Sequence, residues 1–296
     1  MSFKTVSRVV NGEPGPSEDF GFLVALGDRS RYQALGMDRA QFCGGTLAST
    51  TLVITAAHCV ADITARDLVV GSFPDGDLAS ESGRVVDVSG IKVNPRYNPV
   101  TQANDIAVLT LKAPLLGVPT LTPATSEEAV TLTAARAPAS VAGWGATNQR
   151  EPWRFTSVYR IGQLQVFPTS ACGGGDNFVI DGVTFRGYGS DSVDARVMLC
   201  AEGVRGGTPV DSCVGDSGGP LVGGIGEGLG FLCLADDLQP VAQPLHHGAC
   251  DEDRPFQRIG GLAVQAVGDG GQKPIFRRHH IGAGVQQGKA TCAIGG

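Results

Sequence analysis

Long apolar runs are missing from this 296-residue chain. No segment approaches the roughly 18 consecutive apolar residues that a membrane-spanning helix needs, so no membrane partner is expected. The opening MSFKTVSRVV lacks the apolar core of a secretory leader. Basic charge is not in excess either: 23 Lys and Arg face 29 Asp and Glu, a formal charge of −6. Nucleic-acid partners require a basic footprint, and none is expected here. Long stretches with helical apolar spacing are absent as well. The HHGAC segment and the pair His279 and His280 lack the paired C-x-x-C that supports a zinc site, so neither a metal nor a cofactor is expected.

Short β-branched runs bounded by Gly, Pro, Asn and Asp fill the space left by these absences. FGFLVALG, TLVITAA, DLVVGSF, GRVVDVSG and IAVLTL recur along a chain with Gly 43 and Pro 17. That pattern predicts an all-β protein of many short strands. With 42% hydrophobic residues the chain can bury one large core or two modest ones. Eight cysteines, an even number, suit disulfides formed in an oxidising compartment.

The stretch DSCVGDSGGP (211–220) sets Ser217 between Asp216 and two glycines. A serine hydroxyl is a poor nucleophile until a neighbouring base takes its proton and an acid orients that base. His58 in TAAHCV is the candidate base, with Ala56 and Ala57 leaving room for a substrate. Asp105 in NDIAVLTL is the candidate acid. GDSGG also fits the G-x-S-x-G of α/β-hydrolases, but that motif needs a helix after the serine, which Gly218, Gly219 and Pro220 oppose. Asp75, Asp77 and Glu81 share one loop and are read as an exposed turn rather than a calcium site.

CGGTLASTTLVITAAHC, NDIAVL, VAGWG and DSCVGDSGGP, in that order, resemble the trypsin-like serine proteases of the chymotrypsin family. The resemblance implies two antiparallel six-stranded β-barrels, near residues 9–122 and 123–296, with the site in the cleft between them. It also implies roles. Ser217 attacks the scissile carbonyl, His58 acts as general base and then acid, and Asp105 holds the imidazole. The N–H groups of Gly215 and Ser217 form the oxyanion hole. Residues 1–8 form an activation segment; cleavage after Arg8 frees Val9, whose ammonium pairs with Asp216. Asp211 lies at the base of the specificity pocket and selects Arg or Lys before the scissile bond. Cys43–Cys59 and Cys172–Cys200 match family disulfides, and Cys213 pairs with a later cysteine. Cys233 is nearest, with Cys250 and Cys292 also open. The implied function is a secreted, extracellular, monomeric endopeptidase acting on peptides with Arg or Lys before the cut bond. Protein inhibitors are expected as further partners. An inactive homologue that only binds partners is the alternative.

The resemblance runs from residue 8 to about residue 222. Beyond that point the family's Ser-Trp-Gly strand, second pocket glycine and terminal helix are missing. Residues 1–217 hold 17 serines; the 79 residues that follow hold none, and no Trp, Tyr or Asn either. A reading-frame change near residue 222 and a divergent ending both fit this break. The expected consequence is an incomplete second barrel, with residues 223–296 atypical and an exposed edge.

Overall fold

The computed structural model describes residues 9–15, 17–146, 155–187, 193, 198–225, 228–232 and 262–265. Within them the chain is all-β, as its short apolar runs predict. Strands β1 (Leu23–Asp28), β2 (Gln41–Ser49), β3 (Leu52–Thr55), β4 (Leu68–Ser72), β5 (Arg84–Val93) and β6 (Ala107–Leu111) close into an antiparallel barrel in the order β1-β2-β3-β6-β5-β4. Pairing of β4 back onto β1 completes the ring and leaves no unpaired edge.

The continuous apolar runs of β1, β3, β4 and most of β6 have a physical cause in this barrel: both faces of these strands are covered, whereas β5 is largely half-buried or exposed. Along β1, Val24 and Leu26 point to one side and pack with Leu47, Val53, Leu68, Val70 and Leu109. The alternate residues Leu23 and Ala25 join Ile54, Val69 and Val108 in a second cluster. Successive side chains of a strand face opposite ways, so a strand buried on both sides reads as an unbroken hydrophobic run. All five runs named from the sequence contain strands. Strand β2 was not among them, because its QFCGGTLAS is poor in β-branched residues. Its Gly45 is instead required by packing: a Cβ there would lie 2.7 Å from Val53 Cγ1 and 3.1 Å from Leu26 Cδ1.

The second half forms a seven-stranded antiparallel sheet. Its members are β7 (Pro138–Gly143), β8 (Arg160–Val166), β11 (Met198–Arg205), β12 (Thr208–Val210), β13 (Leu221–Ile225), β14 (Gly228–Leu232) and β15 (Leu262–Gln265). The order is β12-β11-β8-β7-β13-β14, with β15 added on β11. Among the described residues this sheet does not close into a ring. Two stretches of the atypical tail nevertheless pair with it, β14 on β13 and β15 on β11.

The long segment between Cys172 and Cys200 holds a separate hairpin, β9 (Phe178–Ile180) with β10 (Val183–Phe185). Asp181 and Gly182 both have positive φ, 45° and 81°. This is the two-residue Asp-Gly turn whose twist matches that of the flanking strands. Phe178, Ile180 and Phe185 bury their own small core with Phe167 and Met198, closed by the Cys172–Cys200 disulfide. Four short helices interrupt the strands among the described residues, Arg29–Leu35, Met37–Ala40, Thr169–Cys172 and Ser126–Leu132, and the last has a clear local start. A capping box starts it: Thr125 accepts from the Glu128 N–H, and Glu128 accepts from the Thr125 N–H.

The barrel and the sheet share one cluster. Phe22, Leu23, Val69 and Phe73 from the barrel half meet Ala142, Trp144, Tyr159 and Val222 from the sheet half. Trp144 is 1% exposed and donates its indole N–H to the Gly76 carbonyl at 2.9 Å. It packs edge-on against Tyr159, with ring centroids 5.9 Å apart. Burial, with a smaller push from Asp19, raises the Tyr159 hydroxyl to about 12. Trp144→Ala would open a large cavity at this junction and remove one of the two donors to the Gly76 carbonyl, which keeps the Tyr159 N–H at 3.0 Å. We expect a loss of about 3–5 kcal/mol in stability, measured by denaturant unfolding with the disulfides intact.

Candidate active site

His58 follows β3 on a tight turn whose Ala56 and Ala57 are wholly buried in the barrel core. The Cys43–Cys59 disulfide, with its Cα atoms 6.3 Å apart, ties this turn to β2. Asp105 lies just before β6 and is fully buried. One of its oxygens accepts the His58 backbone N–H at 2.7 Å, and the other meets the ring Nδ1 at 2.6 Å. A carboxylate offers acceptors alone, so Nδ1 must carry the proton and donate it. The lone pair then belongs to Nε2. The imidazole is 16% exposed, with its orienting acid shielded from water.

Ser217 comes from the other half, on the loop between β12 and β13. Its carbonyl accepts the Gly44 N–H of β2 at 2.7 Å. Cys59 Sγ stands 3.8 Å from that carbonyl and 3.4 Å from His58 Nε2, so the same sulfur borders both residues. The structure therefore gathers His58, Asp105 and Ser217 into one cluster across the junction.

Glycines shape the loop around the serine. Gly215 has φ +97° and Gly218 has φ +79°, conformations that L side chains rarely adopt. A Cβ on Gly218 would sit 2.2 Å from Thr55 Oγ1 and 2.7 Å from the Gly44 carbonyl. Among the described residues, the N–H groups of Gly215 and Ser217 donate to no other group. Two adjacent unused donors beside a serine can receive a developing negative charge.

Asp216 is 2% exposed, and its carboxylate is held by the N–H groups of Gly145, at 2.7 Å, and Cys213, at 2.9 Å. Burial outweighs these two donors and raises its carboxyl to about 7. Room for it comes from VAGWG: a Cβ on Gly143 would fall 2.1 Å from Asp216 Oδ1, and one on Gly145 2.5 Å from Asp216 Cγ. Neither glycine was singled out from the sequence as part of the site.

Arg8 lies outside the described residues. Val9 is 1% exposed and belongs to the core of the second sheet with Val141, Leu164, Val210 and Leu221. Val10 bridges to Asp211, whose N–H donates to the Val10 carbonyl at 3.3 Å. Asp211 is fully buried, next to Ser212 and Cys213. Cys213 is disulfide-bonded, and its partner lies outside the described residues, as do Cys233, Cys250 and Cys292. In the 75–82 loop, Asp75 accepts from the Ser80 and Ser82 hydroxyls and the Asp77 N–H. The Ser80 hydroxyl does most to hold its carboxyl below the usual range. These contacts form an exposed turn that satisfies itself.

The sequence profile of the family described as Trypsin matches residues 9–233, continuing past residue 222, where the resemblance read from motifs stops. A trypsin from Saccharopolyspora erythraea is 33% identical over 219 residues, covering 72% of this chain and 81% of that protein. A trypsin from Sarcophaga bullata is 31% identical over 225 residues, covering 73% and 74%. Hypodermin-B from Hypoderma lineatum is 30% identical over 225 residues, covering 75% of each.

The raised Asp216 carboxyl generates a pH prediction with an unusual sign. Its folded value of about 7 lies above the ordinary 3.8, so between these values the native chain holds a proton that the unfolded chain has released. The chain should therefore lose stability as pH rises from about 4 to about 7, then level off, by on the order of a few kcal/mol. Asp216→Asn carries no such proton. Unfolding midpoints across this range should show the wild-type curve falling relative to that of the variant.

Proposed function

This chain belongs to the trypsin family, and from that premise we propose that it is a serine endopeptidase cutting after Arg or Lys. The observation that carries the proposal is the double grip of buried Asp105 on His58, with Ser217 beside the same disulfide. In this reading residues 1–8 are an activation segment. The peptidase unit begins at residue 9, with one barrel to about residue 122 and the second after it.

The proposed chemistry follows from the protonation pattern. Asp105 keeps the proton on Nδ1, so Nε2 of neutral His58 accepts the Ser217 hydroxyl proton as Oγ attacks the scissile carbonyl carbon. The carbonyl π electrons move onto oxygen, and the resulting oxyanion takes hydrogen bonds from the N–H groups of Gly215 and Ser217. A preorganised donor of this kind contributes about 3–4 kcal/mol to the transition state. His58 then passes its proton to the leaving amine, leaving Ser217 acylated. A water molecule repeats the sequence with His58 as base, releasing the acid and restoring the hydroxyl.

Asp211 supports the choice of Arg or Lys: a fully buried carboxylate favours a cationic guest that brings its own hydrogen-bond donors. Buried Asp216 supports activation by cleavage after Arg8. An ammonium freed at Val9 would give this costly buried charge a partner and draw its carboxyl back down. The disulfides suit an extracellular location. We propose a monomer that meets protein substrates and protein inhibitors at this cleft.

Two substitutions test the reading. Ser217→Ala should lower turnover of an Arg amide substrate by on the order of 10⁶-fold and abolish labelling by a fluorophosphonate, while the unfolding midpoint scarcely moves. A wild-type chain that neither labels nor hydrolyses the substrate would favour a binding role instead. Asp211→Ser should cut kcat/KM on Arg substrates by about two to three orders of magnitude, with little change on a Phe substrate. Steady-state kinetics on the two substrates measures the difference, and equal losses on both would overturn the pocket assignment.

A further inference from the structure

Gly215 has no side chain to restrain it, so the direction of its N–H is set by whatever holds the peptide units on either side. Three hydrogen bonds do this. The Val214 carbonyl accepts from the Ala146 N–H at 2.7 Å, and the Asp216 N–H donates to the Cys213 carbonyl at 2.9 Å. The Gly215 carbonyl accepts from Gln41 Nε2 at 2.7 Å. The first two are backbone contacts. Gln41, 174 positions away in sequence, supplies the third through its side chain.

Gln41 is the first residue of β2 and is 2% exposed. Its Nε2 also reaches the Cys43 carbonyl at 3.2 Å. Two carbonyl acceptors on one side fix the amide orientation, because turning it over would set Oε1 against both oxygens. In the orientation adopted, Oε1 is buried without a hydrogen-bond partner among the described residues. A buried amide oxygen left unmatched is destabilising. An aliphatic side chain of similar length would fill the same space without that cost. Such a side chain would, however, leave the Gly215 carbonyl without this donor, so what glutamine supplies at this position is the bond to Gly215.

We propose that Gln41 is a positioning residue for the oxyanion hole. By holding the Gly215 carbonyl, it keeps the adjacent loop in the conformation that aims the Gly215 and Ser217 N–H groups at the reacting carbonyl. The proposal rests on the serine-protease reading above. Gln41 does not touch the substrate; it acts through Gly215. The Asp216–Cys213 bond remains without it, so the loss on substitution is smaller than that of removing an oxyanion donor outright.

The test uses Gln41→Met, which keeps length and volume and removes the donor, with Gln41→Glu as a second variant of the original shape. Each is compared with the wild-type chain on an Arg amide substrate, on an arginine aldehyde and on benzamidine. In the aldehyde complex Ser217 Oγ bonds to the aldehyde carbon, its proton passes to His58, and the former carbonyl oxygen becomes an oxyanion in the hole. Benzamidine places a cation in the Asp211 pocket and presents no oxyanion. For Gln41→Met we expect kcat to fall about 10- to 100-fold with KM within about threefold, and aldehyde affinity to fall by the same factor as kcat. Benzamidine affinity should be unchanged. Gln41→Glu sets an oxygen against the Gly215 carbonyl and should lose at least as much. A general loosening of the fold would weaken benzamidine and aldehyde together, and that result overturns the proposal. So does a Gln41→Met enzyme with wild-type kcat and aldehyde affinity. A wild-type chain that neither turns over the substrate nor binds either inhibitor overturns the serine-protease reading, and this proposal with it.

Discussion

Burying one carboxylate, that of Asp216, imposes the tightest constraint on the region around Ser217. It sits where the barrel and the second sheet meet, and two backbone N–H groups hold it. Charge in such a place is costly, and burial accordingly raises its carboxyl. Everything within reach must come close without a side chain. Gly143 and Gly145 line one side, and Gly44 of the barrel meets the Gly219 backbone, where an added Cβ would lie 3.3 Å from Cα. The segments VAGWG and GDSGG, far apart in sequence, are two halves of one packing arrangement.

The same junction determines how His58 and Ser217 meet. His58 and Asp105 belong to a closed barrel, whereas Ser217 belongs to the sheet half. What holds these halves in register is the shared apolar cluster around Trp144 and Tyr159, the Gly44 to Ser217 hydrogen bond, and Gln41 reaching across to Gly215. The proposed catalytic geometry is thus a property of the contact between two bodies.

Much of the barrel was legible because β1, β3, β4 and most of β6 are buried on both faces, which turns their sequences into unbroken apolar runs. Strand β2 escaped this reading because close approach to its neighbours calls for glycine where strands ordinarily carry branched residues. The helix at Ser126–Leu132 carried a local signal in Thr125 and Glu128, and the β9–β10 hairpin carried one in Asp181-Gly182. Both are short-range patterns available to a closer reading. The candidate triad was legible as three motifs in order, a matter of resemblance; the two contacts from Asp105 to His58 are what geometry adds. Gln41 had no sequence signal, because its partner lies on the opposite half and is a backbone carbonyl. Beyond residue 222 the motifs stop, yet the family match extends to residue 233, across the stretch in which β14 pairs with β13.

The crowding of glycines around Asp216 has a genetic consequence. In a glycine codon, any amino-acid change at the first or second base inserts a Cβ, and the third base is silent. At Gly143, Gly145 and Gly218 the inserted atom would fall well inside contact distance of a neighbour. These positions therefore offer evolution no graded series of substitutions of the kind a leucine site provides through isoleucine, methionine or valine. Change there arrives as a steric step. Adaptation of such a protein to new substrates is expected to run through the outer loops, while the glycine-lined junction is inherited whole or lost.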